Sequence, residues 1–382
     1  MKPIESKLPR AGTTIFTVMT QLAQAHGAIN LSQGFPDFQP PARLVELVGA
    51  HLRAGRNQYA PMTGVVHLRE AVARKIAALY DAVVDPEIEI TVTAGATEAL
   101  FCAIQAVVGT GDEVVVLDPA YDSYEPSVVL AGGKTVHVPL LEPEHGIDWD
   151  CLSRSVGPKT RLLIVNSPHN PTGSLIDAED LDRLARLLRR YDCMLLSDEV
   201  YEHIVFDGAR HASVLSHPEL RERAFVVSSF GKTYHATGWK IGYCVAPAAL
   251  SAEFRRIHQY VTFAAVTPIQ HALADYLDEA PEHYRSVPLF YEAKRDYFLD
   301  LLAGSRFRLR PSRGTYFQLA DYSAISELGD VDFARWLTIE HGVATIPISV
   351  FYAIPPATRL VRFCFAKEAR TLDAAAERLV SL

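Results

Sequence analysis

Residues 161–173 read RLLIVNSPHNPTG, an apolar run that ends abruptly in a loop rich in proline and polar side chains. The run at residues 162–165 has no polar position, so the strand it predicts is buried on both faces, which is typical of a sheet sandwiched between helices. A second run of this kind lies upstream at residues 114–117. Between about residues 50 and 285 such runs alternate with helical patterns. The alternation predicts right-handed crossovers and an α/β fold with a mainly parallel central sheet flanked by helices.

The element pattern changes after Pro281, where shorter strands follow a long charged amphipathic helix. We predict a large domain over residues 46–285 and a smaller α+β domain formed by residues 1–45 and 286–382. The predicted strands of the first part are 88–93, 113–117, 135–140, 161–166, 193–197, 224–229 and 241–245, and its helices are 96–108, 126–130 and 178–191. The predicted elements of the second part are helices 284–302 and 372–379 and strands 315–319, 344–348 and 360–365.

Composition excludes several classes of protein. The net charge is −8, and a mildly acidic chain lacks the basic face that nucleic-acid binding requires. No run of about eighteen apolar residues is present, so we expect no membrane span. The five cysteines are scattered and never form a Cys-x-x-Cys pair, and the fourteen histidines show no His-Glu-x-x-His pattern. These observations predict a cytoplasmic protein without a metal site.

Polar and charged residues cluster where the predicted strands end, which is where ligands collect in an open α/β sheet. The first cluster is SSFGKT at residues 228–233, where a predicted strand ends. Gly231, Lys232 and Thr233 resemble the end of a phosphate-binding P-loop, but that motif needs glycine at position 226, which is Val226. The P-loop interpretation therefore fails, and a solvated surface lysine is the ordinary alternative for Lys232.

Two further strand ends carry candidate ligand groups. Asp198 and Tyr201 follow the strand at 193–197, where Asp198 is either a helix N-cap or a buried carboxylate that pairs with a cationic ring nitrogen. Asn170 lies in the proline-rich loop that follows residue 166, which is either only a turn or a rigid support for an amide that faces a ligand oxygen.

A phosphate and a carboxylate also have candidate sites. At residues 93–100 a strand runs through Gly95 into a helix, and the free N–H groups of Ala96 and Thr97 with the helix dipole favour a phosphate. The region lacks the Gly-x-Gly-x-x-Gly dinucleotide pattern. Arg362 lies in an otherwise apolar strand, where it binds a carboxylate if it is buried and faces solvent if the strand is at an edge.

Taken in order, these motifs resemble the fold-type-I pyridoxal-phosphate aminotransferases of class I/II, in the branch that holds methionine aminotransferases and kynurenine or glutamine transaminases. The resemblance runs from NLSQGFPD at residues 30–37 to VRFCF at residues 361–365. Its most specific signature is Ser229-x-x-Lys232 followed by TGWK at residues 237–240. It implies a large domain like those of pyridoxal-phosphate-dependent transferases.

The resemblance implies a role for each matching residue around pyridoxal 5'-phosphate. Lys232 forms the Schiff base, Asp198 pairs with the pyridine nitrogen, Tyr201 and Asn170 bond the phenolic oxygen, and the ring of Tyr121 stacks on the cofactor. The catalytic set is then Lys232, Asp198 and Tyr201. The remaining implied ligands of the phosphate are Ala96, Thr97, Ser229, Lys240 and Tyr59 from a neighbouring subunit.

The same resemblance implies a homodimer with shared active sites, because Tyr59 and Phe263 complete the site of the other subunit. Arg362 is expected to bind the substrate α-carboxylate, and Asn170 is expected to contact the substrate as well. The remaining implied substrate contacts are Gly34, Phe16 and the neighbour's Phe263.

The predicted function is transfer of an amino group from an L-amino acid to a 2-oxo acid by a ping-pong mechanism. The aromatic lining favours methionine or an aromatic amino acid. Kynurenine–oxoglutarate transamination competes with this prediction, although this chain has Ala264 where those enzymes commonly place histidine, and two extra residues precede Pro268. The motifs also leave open a cysteine-conjugate or cystathionine β-lyase, which would use the same cofactor, and a non-catalytic binding protein.

Overall fold

A computed structural model describes residues 4–9 and 11–382 of the chain. The parts of the predicted small domain at residues 1–3 and 10 lie outside the described residues. The elements that precede the central sheet in the described ranges are α1 (Ile15–His26), β1 (Ile29–Asn30), α2 (Ala42–Arg53) and α3 (Val66–Tyr80).

A seven-stranded sheet forms the centre of the molecule, in the order β2-β8-β7-β6-β5-β3-β4. Its strands are β2 (Ile90–Thr93), β3 (Glu113–Asp118), β4 (Lys134–Pro139), β5 (Thr160–Asn166), β6 (Met194–Asp198), β7 (Ala224–Ser229) and β8 (Gly242–Val245). All of them run parallel except β8, which is antiparallel to both of its neighbours. The predicted α/β class with a mainly parallel sheet is confirmed.

Helices cover both faces of this sheet, and the apolar runs supply side chains to both. Val114 and Val116 contribute to the core on one face, whereas Val115 and Leu117 contribute to the core on the other. Strands with two buried faces need such uninterrupted apolar runs. The helices that follow or connect the strands are α4 (Ala96–Val107), α5 (Tyr124–Leu130), α6 (Trp149–Ser155), α7 (Ala178–Tyr191), α8 (Pro218–Arg221), α9 (Phe230–Thr233), α10 (Ala248–Val261) and α11 (Thr267–Glu279).

The C-terminal part has its own sheet and apolar core. Its antiparallel sheet has the order β12-β13-β10-β9, and a separate parallel pair joins β1 to β11. Its core also takes Leu31, Tyr201, Ile204 and Phe206 from earlier in the chain. The division into a large domain at residues 46–285 and a small domain at residues 1–45 and 286–382 is still a prediction. The elements are α12 (Glu282–Leu301), β9 (Arg308–Leu309), β10 (Phe317–Asp321), α13 (Asp330–Glu340), β11 (Val343–Ala344), β12 (Ile346–Pro347), β13 (Leu360–Cys364) and α14 (Ala369–Val380).

Most predicted strands shift by one or two residues at an end, and the structure gives a reason for two of the differences. The strand predicted at 344–348 is divided at Thr345, and the two parts, β11 and β12, pair in different sheets. Thr345 lies between these two parts, and its hydroxyl donates a hydrogen bond to the Arg362 carbonyl oxygen. The strand predicted at 315–319 begins at Phe317 instead, because Thr315 has φ 63°, which a strand does not accommodate.

No helix in the described ranges combines the length and the apolar character needed to cross a membrane.

Candidate active site

A cavity of about 220 Å³ opens at the carboxyl ends of β5, β6 and β7. Elements far apart in the chain meet there, as expected for a ligand site at the strand ends of an α/β sheet. The predicted site residues among its lining are Phe16, Gly34, Ala96, Thr97, Tyr121, Asn170, Asp198, Tyr201, Ser229, Lys232, Lys240 and Arg362.

Lys232 lies in α9, the single helical turn that directly follows β7. Its amine donates hydrogen bonds to the Tyr316 hydroxyl at 2.8 Å and to the Gly34 carbonyl oxygen at 3.3 Å. Burial, together with the charge of Arg362, lowers the pKa of Lys232 to about 8. The surface-lysine alternative is therefore wrong, and the amine is closer to its neutral, nucleophilic form than an ordinary lysine is.

Asp198 ends β6, and only 3% of it is exposed. Its Oδ2 accepts a hydrogen bond from the Tyr124 hydroxyl at 2.7 Å, and its Oδ1 accepts one from the Val200 N–H at 3.3 Å. Burial raises the pKa of Asp198 to about 6, although the Tyr124 bond and the charge of Lys232 oppose the rise. Because an opposite charge favours the ionised form, a protonated ring nitrogen beside this carboxylate would stabilise both groups.

Tyr201 lies three residues after Asp198, with its ring edge-on to that of Tyr316 at a centroid distance of 5.2 Å. Burial raises the pKa of the Tyr201 hydroxyl, so this group stays a neutral donor. The Lys232 amine lies 5.2 Å from the centroid of the Tyr201 ring.

The first turn of α4 forms an anion seat. Gly95 is its N-cap with φ 85° and makes no side-chain cap bond, so the N–H groups that begin the helix are available to a ligand. The Lys240 amine lies 3.4 Å from the position that a Cβ on Gly95 would occupy. Ser229, at the end of β7, lines the same part of the cavity. Amides, an ammonium and a hydroxyl together suit a phosphate.

Arg362 in β13 is completely buried. Its guanidinium donates to Asn170 Oδ1 at 2.8 Å and to the Ser32 carbonyl oxygen at 2.9 Å, and it lies 3.8 Å from the centroid of the Phe317 ring. Its Nε has no hydrogen-bond partner, and among the described residues no carboxylate lies within ion-pair distance of it. The edge-strand alternative is wrong, and a buried guanidinium of this kind is suited to a carboxylate ligand.

Asn170 is held by a second asparagine. Asn166 Oδ1 accepts the Asn170 N–H at 2.8 Å, and the Asn166 amide donates to the Asp198 carbonyl oxygen at 2.8 Å. The loop after β5 is therefore tied to the end of β6, and it orients the Asn170 side chain toward Arg362.

Tyr121 follows β3, with its ring perpendicular to that of Tyr124 at a centroid distance of 5.7 Å. Burial raises the pKa of Tyr121 to about 12, so it presents a neutral ring.

Tyr59 and Phe263 are the predicted site residues that do not line the cavity of their own chain. Tyr59 is 85% exposed and Phe263 is 44% exposed. Their rings contact each other at right angles, with centroids 5.4 Å apart, so they form one exposed aromatic pair.

The residues of the site that were not predicted from the sequence include Asn166, Tyr124, Tyr316 and Phe317. Asn166 ends an apolar strand, a signal that could have identified it. The other three are aromatic residues in segments where an aromatic side chain usually packs in the core: Tyr124, Tyr316 and Phe317. No local sequence pattern distinguishes them from ordinary core residues.

The donor set fits pyridoxal phosphate. A phosphate matches the α4 seat, a pyridine nitrogen matches the buried Asp198 carboxylate, and an aldehyde matches the Lys232 amine with its lowered pKa. The fit rests on the free N–H donors at the start of α4 and on the burial of Asp198 and Arg362.

Similarity to known proteins extends over almost the whole chain. The family model described as aminotransferase class I and II matches residues 26–379. The chain is 55% identical over 378 residues to methionine aminotransferase of Escherichia coli K12, covering 99% of this chain and 98% of the relative. It is 39% identical over 387 residues to a probable N-succinyldiaminopimelate aminotransferase DapC of Mycobacterium tuberculosis, covering 98% and 97%. The crystal structure of YbdL from Escherichia coli, identified as having a methionine aminotransferase function, superposes over 100% of both chains with a TM-score of 0.97.

Proposed function

The chain belongs to the class I and II aminotransferases, enzymes that use pyridoxal phosphate, and we propose that it transfers the amino group of methionine or an aromatic L-amino acid to a 2-oxo acid. The observation that carries the proposal is the cavity in which Lys232, Asp198 and Arg362 meet. Bound pyridoxal phosphate supplies the electron sink that makes the α-proton of an amino acid acidic. The two half-reactions share one site, so ping-pong kinetics are expected.

The protein holds the cofactor at its two ends. The N–H groups of Ala96 and Thr97, with Ser229 and Lys240, are proposed to bind the phosphate. Asp198 is proposed to keep the ring nitrogen protonated, and its hydrogen bond from Tyr124 orients the carboxylate. The remaining proposed contacts are Asn170 and Tyr201 at the phenolic oxygen and Tyr121 against the ring.

Lys232 is proposed as the residue that attaches the cofactor and, once freed, moves a proton to or from the substrate α-carbon. A pKa of about 8 suits this role, because a general base works best when its pKa is near the working pH. The bond to the Tyr316 hydroxyl keeps the amine on one side of the cavity.

Arg362 is proposed to bind the α-carboxylate of the substrate. Its free Nε, its bond to Asn170 and its stacking on Phe317 leave the guanidinium oriented but without a carboxylate partner. The resulting charge-assisted pair would orient the α-carbon over Lys232.

The preference for an apolar donor rests on the rest of the lining. Phe16 and Phe317 are apolar, and Arg362 is the only guanidinium among the described lining residues, so no second arginine of this chain is available for a side-chain carboxylate. The 55% identical relative, a methionine aminotransferase, supports methionine.

We also propose a homodimer in which Tyr59 and Phe263 complete the partner's site, with Gly34 and Phe16 lining their own. The exposed aromatic pair supports this proposal, as do the exposed apolar residues Tyr260 and Val266 nearby in the chain. A cytoplasmic location is proposed from the five free cysteines.

The test is an absorption experiment on purified protein loaded with pyridoxal phosphate. The visible band of the lysine-bound cofactor should bleach when L-methionine is added without an acceptor, and it should return with a 2-oxo acid. Lys232→Ala should show neither change. Release of pyruvate and ammonia from a cysteine conjugate without acceptor would indicate the β-lyase instead, and bleaching by kynurenine but not by methionine would overturn the proposed donor.

A further inference from the structure

Behind the anion seat, Glu98, Cys102 and His258 bring a carboxylate, a thiol and an imidazole nitrogen within 4.8 Å of one another. Cys102 and His258 are completely buried, and only 8% of the Glu98 side chain is exposed. None of the three lines the cavity. The reaction described above gives this cluster no role.

The cluster is a set of hydrogen bonds rather than a set of free metal ligands. Glu98 Oε2 accepts the Ala94 N–H at 3.0 Å, and Oε1 accepts the Cys102 thiol at 3.1 Å. The same Oε1 shares a 2.7 Å hydrogen bond with His258 Nδ1. Burial raises the pKa of Cys102, so the thiol stays protonated and remains a donor.

Glu98 belongs to the first turn of α4, the turn whose N–H groups form the anion seat. Its carboxylate links that turn to Ala94 in the approach from β2, and to His258 in α10. A displacement of the first turn therefore changes the distance between Glu98 and His258.

The second nitrogen of His258 reaches the chain segment that carries Tyr59. His258 Nε2 donates to the Met62 carbonyl oxygen at 2.9 Å. Two residues on, the segment lies so close to β2 that a Cβ on Gly64 would be 2.4 Å from a methyl group of Val92.

The backbone of His258 holds the other half of the exposed aromatic pair. Its carbonyl oxygen accepts the N–H groups of Thr262 at 3.0 Å and Phe263 at 3.1 Å, at the point where α10 ends. Phe263 has φ 67°, an unfavourable conformation for this residue type, which these bonds help to maintain.

We propose that His258 is a positioning residue that couples the phosphate seat of one active site to the Tyr59–Phe263 pair that completes the site of the partner subunit. This inference rests on the proposed homodimer and on the proposed phosphate seat. Buried hydrogen bonds cannot exchange their partners for water, so a shift at Glu98 is passed on to Met62 instead of being absorbed by solvent. Cofactor phosphate and subunit association then strengthen each other by the same factor, since linkage between two binding equilibria is reciprocal.

The test measures the dissociation constant of the dimer by dilution of labelled protein, without cofactor, with pyridoxal, and with pyridoxal phosphate. In the wild-type protein pyridoxal phosphate should tighten the dimer by about tenfold. Pyridoxal, which lacks the phosphate, should change the dissociation constant of the dimer far less. In His258→Gln the tightening should fall to about twofold or less, while the cofactor still gives its lysine-bound absorption band.

The matched control is His217→Gln. His217 also bonds through both ring nitrogens, accepting from the Leu220 N–H and contacting Asp182, but it lies on no path between the anion seat and Tyr59. This variant should keep the wild-type tightening. Glu98→Gln is the second test variant if His258→Gln does not fold. Pyridoxal phosphate should also slow hydrogen exchange at residues 59–65 in the wild-type protein, and it should slow it much less in His258→Gln.

The outcomes are distinguishable. A wild-type dimer that responds equally to pyridoxal and pyridoxal phosphate, or a folded variant with the wild-type tightening, would overturn the coupling and leave the proposed function intact. A wild-type protein that stays monomeric at every concentration would overturn the proposed homodimer and the coupling together. Failure of the methionine absorption test alone would contradict only the proposed donor.

Discussion

At the scale of single residues, Tyr316 places its hydroxyl 2.8 Å from the Lys232 amine, although the two residues are separated by 84 positions in the chain. The same hydroxyl donates to the Gly34 carbonyl oxygen, so its lone pairs face the lysine. Tyr316 is completely buried. The hydroxyl therefore stabilises the ammonium form of Lys232 more than the neutral amine.

Tyr316→Phe should lower the pKa of Lys232 further below its present value of about 8, by about one unit, because the ammonium loses an acceptor in a buried site. Above its pKa the amine is neutral and reacts; below its pKa it is protonated and does not. Acylation of Lys232 in cofactor-free protein, followed by peptide mass spectrometry over a pH series, should show the midpoint moving to lower pH.

The control for this prediction is Tyr322→Phe, since Tyr322 is equally buried and donates its hydroxyl to the Leu328 carbonyl oxygen, away from the site. An unchanged midpoint in Tyr316→Phe would remove the hydroxyl from the environment that sets the Lys232 pKa.

At the scale of elements, the anion seat depends on how closely β8 approaches the start of α4. A Cβ on Gly242, the first residue of β8, would lie 2.6 Å from the Ser228 carbonyl oxygen and 3.1 Å from the Ala96 nitrogen. Both neighbours are backbone atoms that cannot move without displacing β7 or the first turn of α4. The absence of a side chain at position 242 therefore sets the position of the seat.

Gly242→Ala should lower the free energy of unfolding by about 1–3 kcal/mol and weaken cofactor binding, because β8 and the α4 turn must separate to admit the methyl group. Urea denaturation and a pyridoxal phosphate titration measure the two effects. Gly157→Ala, at a position with no atoms within 4 Å of the added carbon, should change neither. Unaltered cofactor affinity in Gly242→Ala would show that the seat tolerates the displacement.

At the scale of the whole molecule, a buried polar network behind the site joins the sheet to α3. Lys75 donates to Glu202 Oε1 at 2.7 Å and to the Tyr243 hydroxyl at 2.8 Å. Burial alone would raise the pKa of Glu202, but Lys75 holds it below its ordinary range. His203 lies beside this pair, with its Nε2 3.7 Å from Glu202 Oε1 and without a hydrogen bond, and burial lowers its pKa to about 3. Replacing this network needs matched partners, because one unpaired buried charge is costly.

The folded protein should lose stability as the pH falls from about 6.5 toward 3, in part through His203. Below its ordinary pKa of 6.5 the unfolded chain binds a proton at this residue, whereas the folded chain stays neutral until about 3. The loss is at most about 1.4 kcal/mol per pH unit for one histidine. His203→Asn should flatten the acid side of a plot of unfolding free energy against pH, whereas His217→Asn, nearer the surface, should not. A variant curve parallel to that of the wild type would contradict this assignment.

The sheet and most of the strand-end motifs were predictable from the chain because their determinants are local. An uninterrupted apolar run predicts a doubly buried strand, and Asn170, Asp198 and Lys232 each lie at or shortly after the end of such a run. The parallel order then brings those ends to one edge. The family match confirms the predicted transamination and cofactor.

The contacts made across the cavity were decided only by tertiary packing. Tyr124 meets Asp198, and Tyr316 meets Lys232, through elements whose sequences contain nothing but ordinary core patterns. The predicted strand is likewise divided at Thr345 because its two halves pair with strands of two different sheets. A local sequence specifies which backbone conformation is favourable and which faces are apolar. The partner of a buried polar group is set by the packing of distant elements, because their relative positions depend on the sum of many weak contacts.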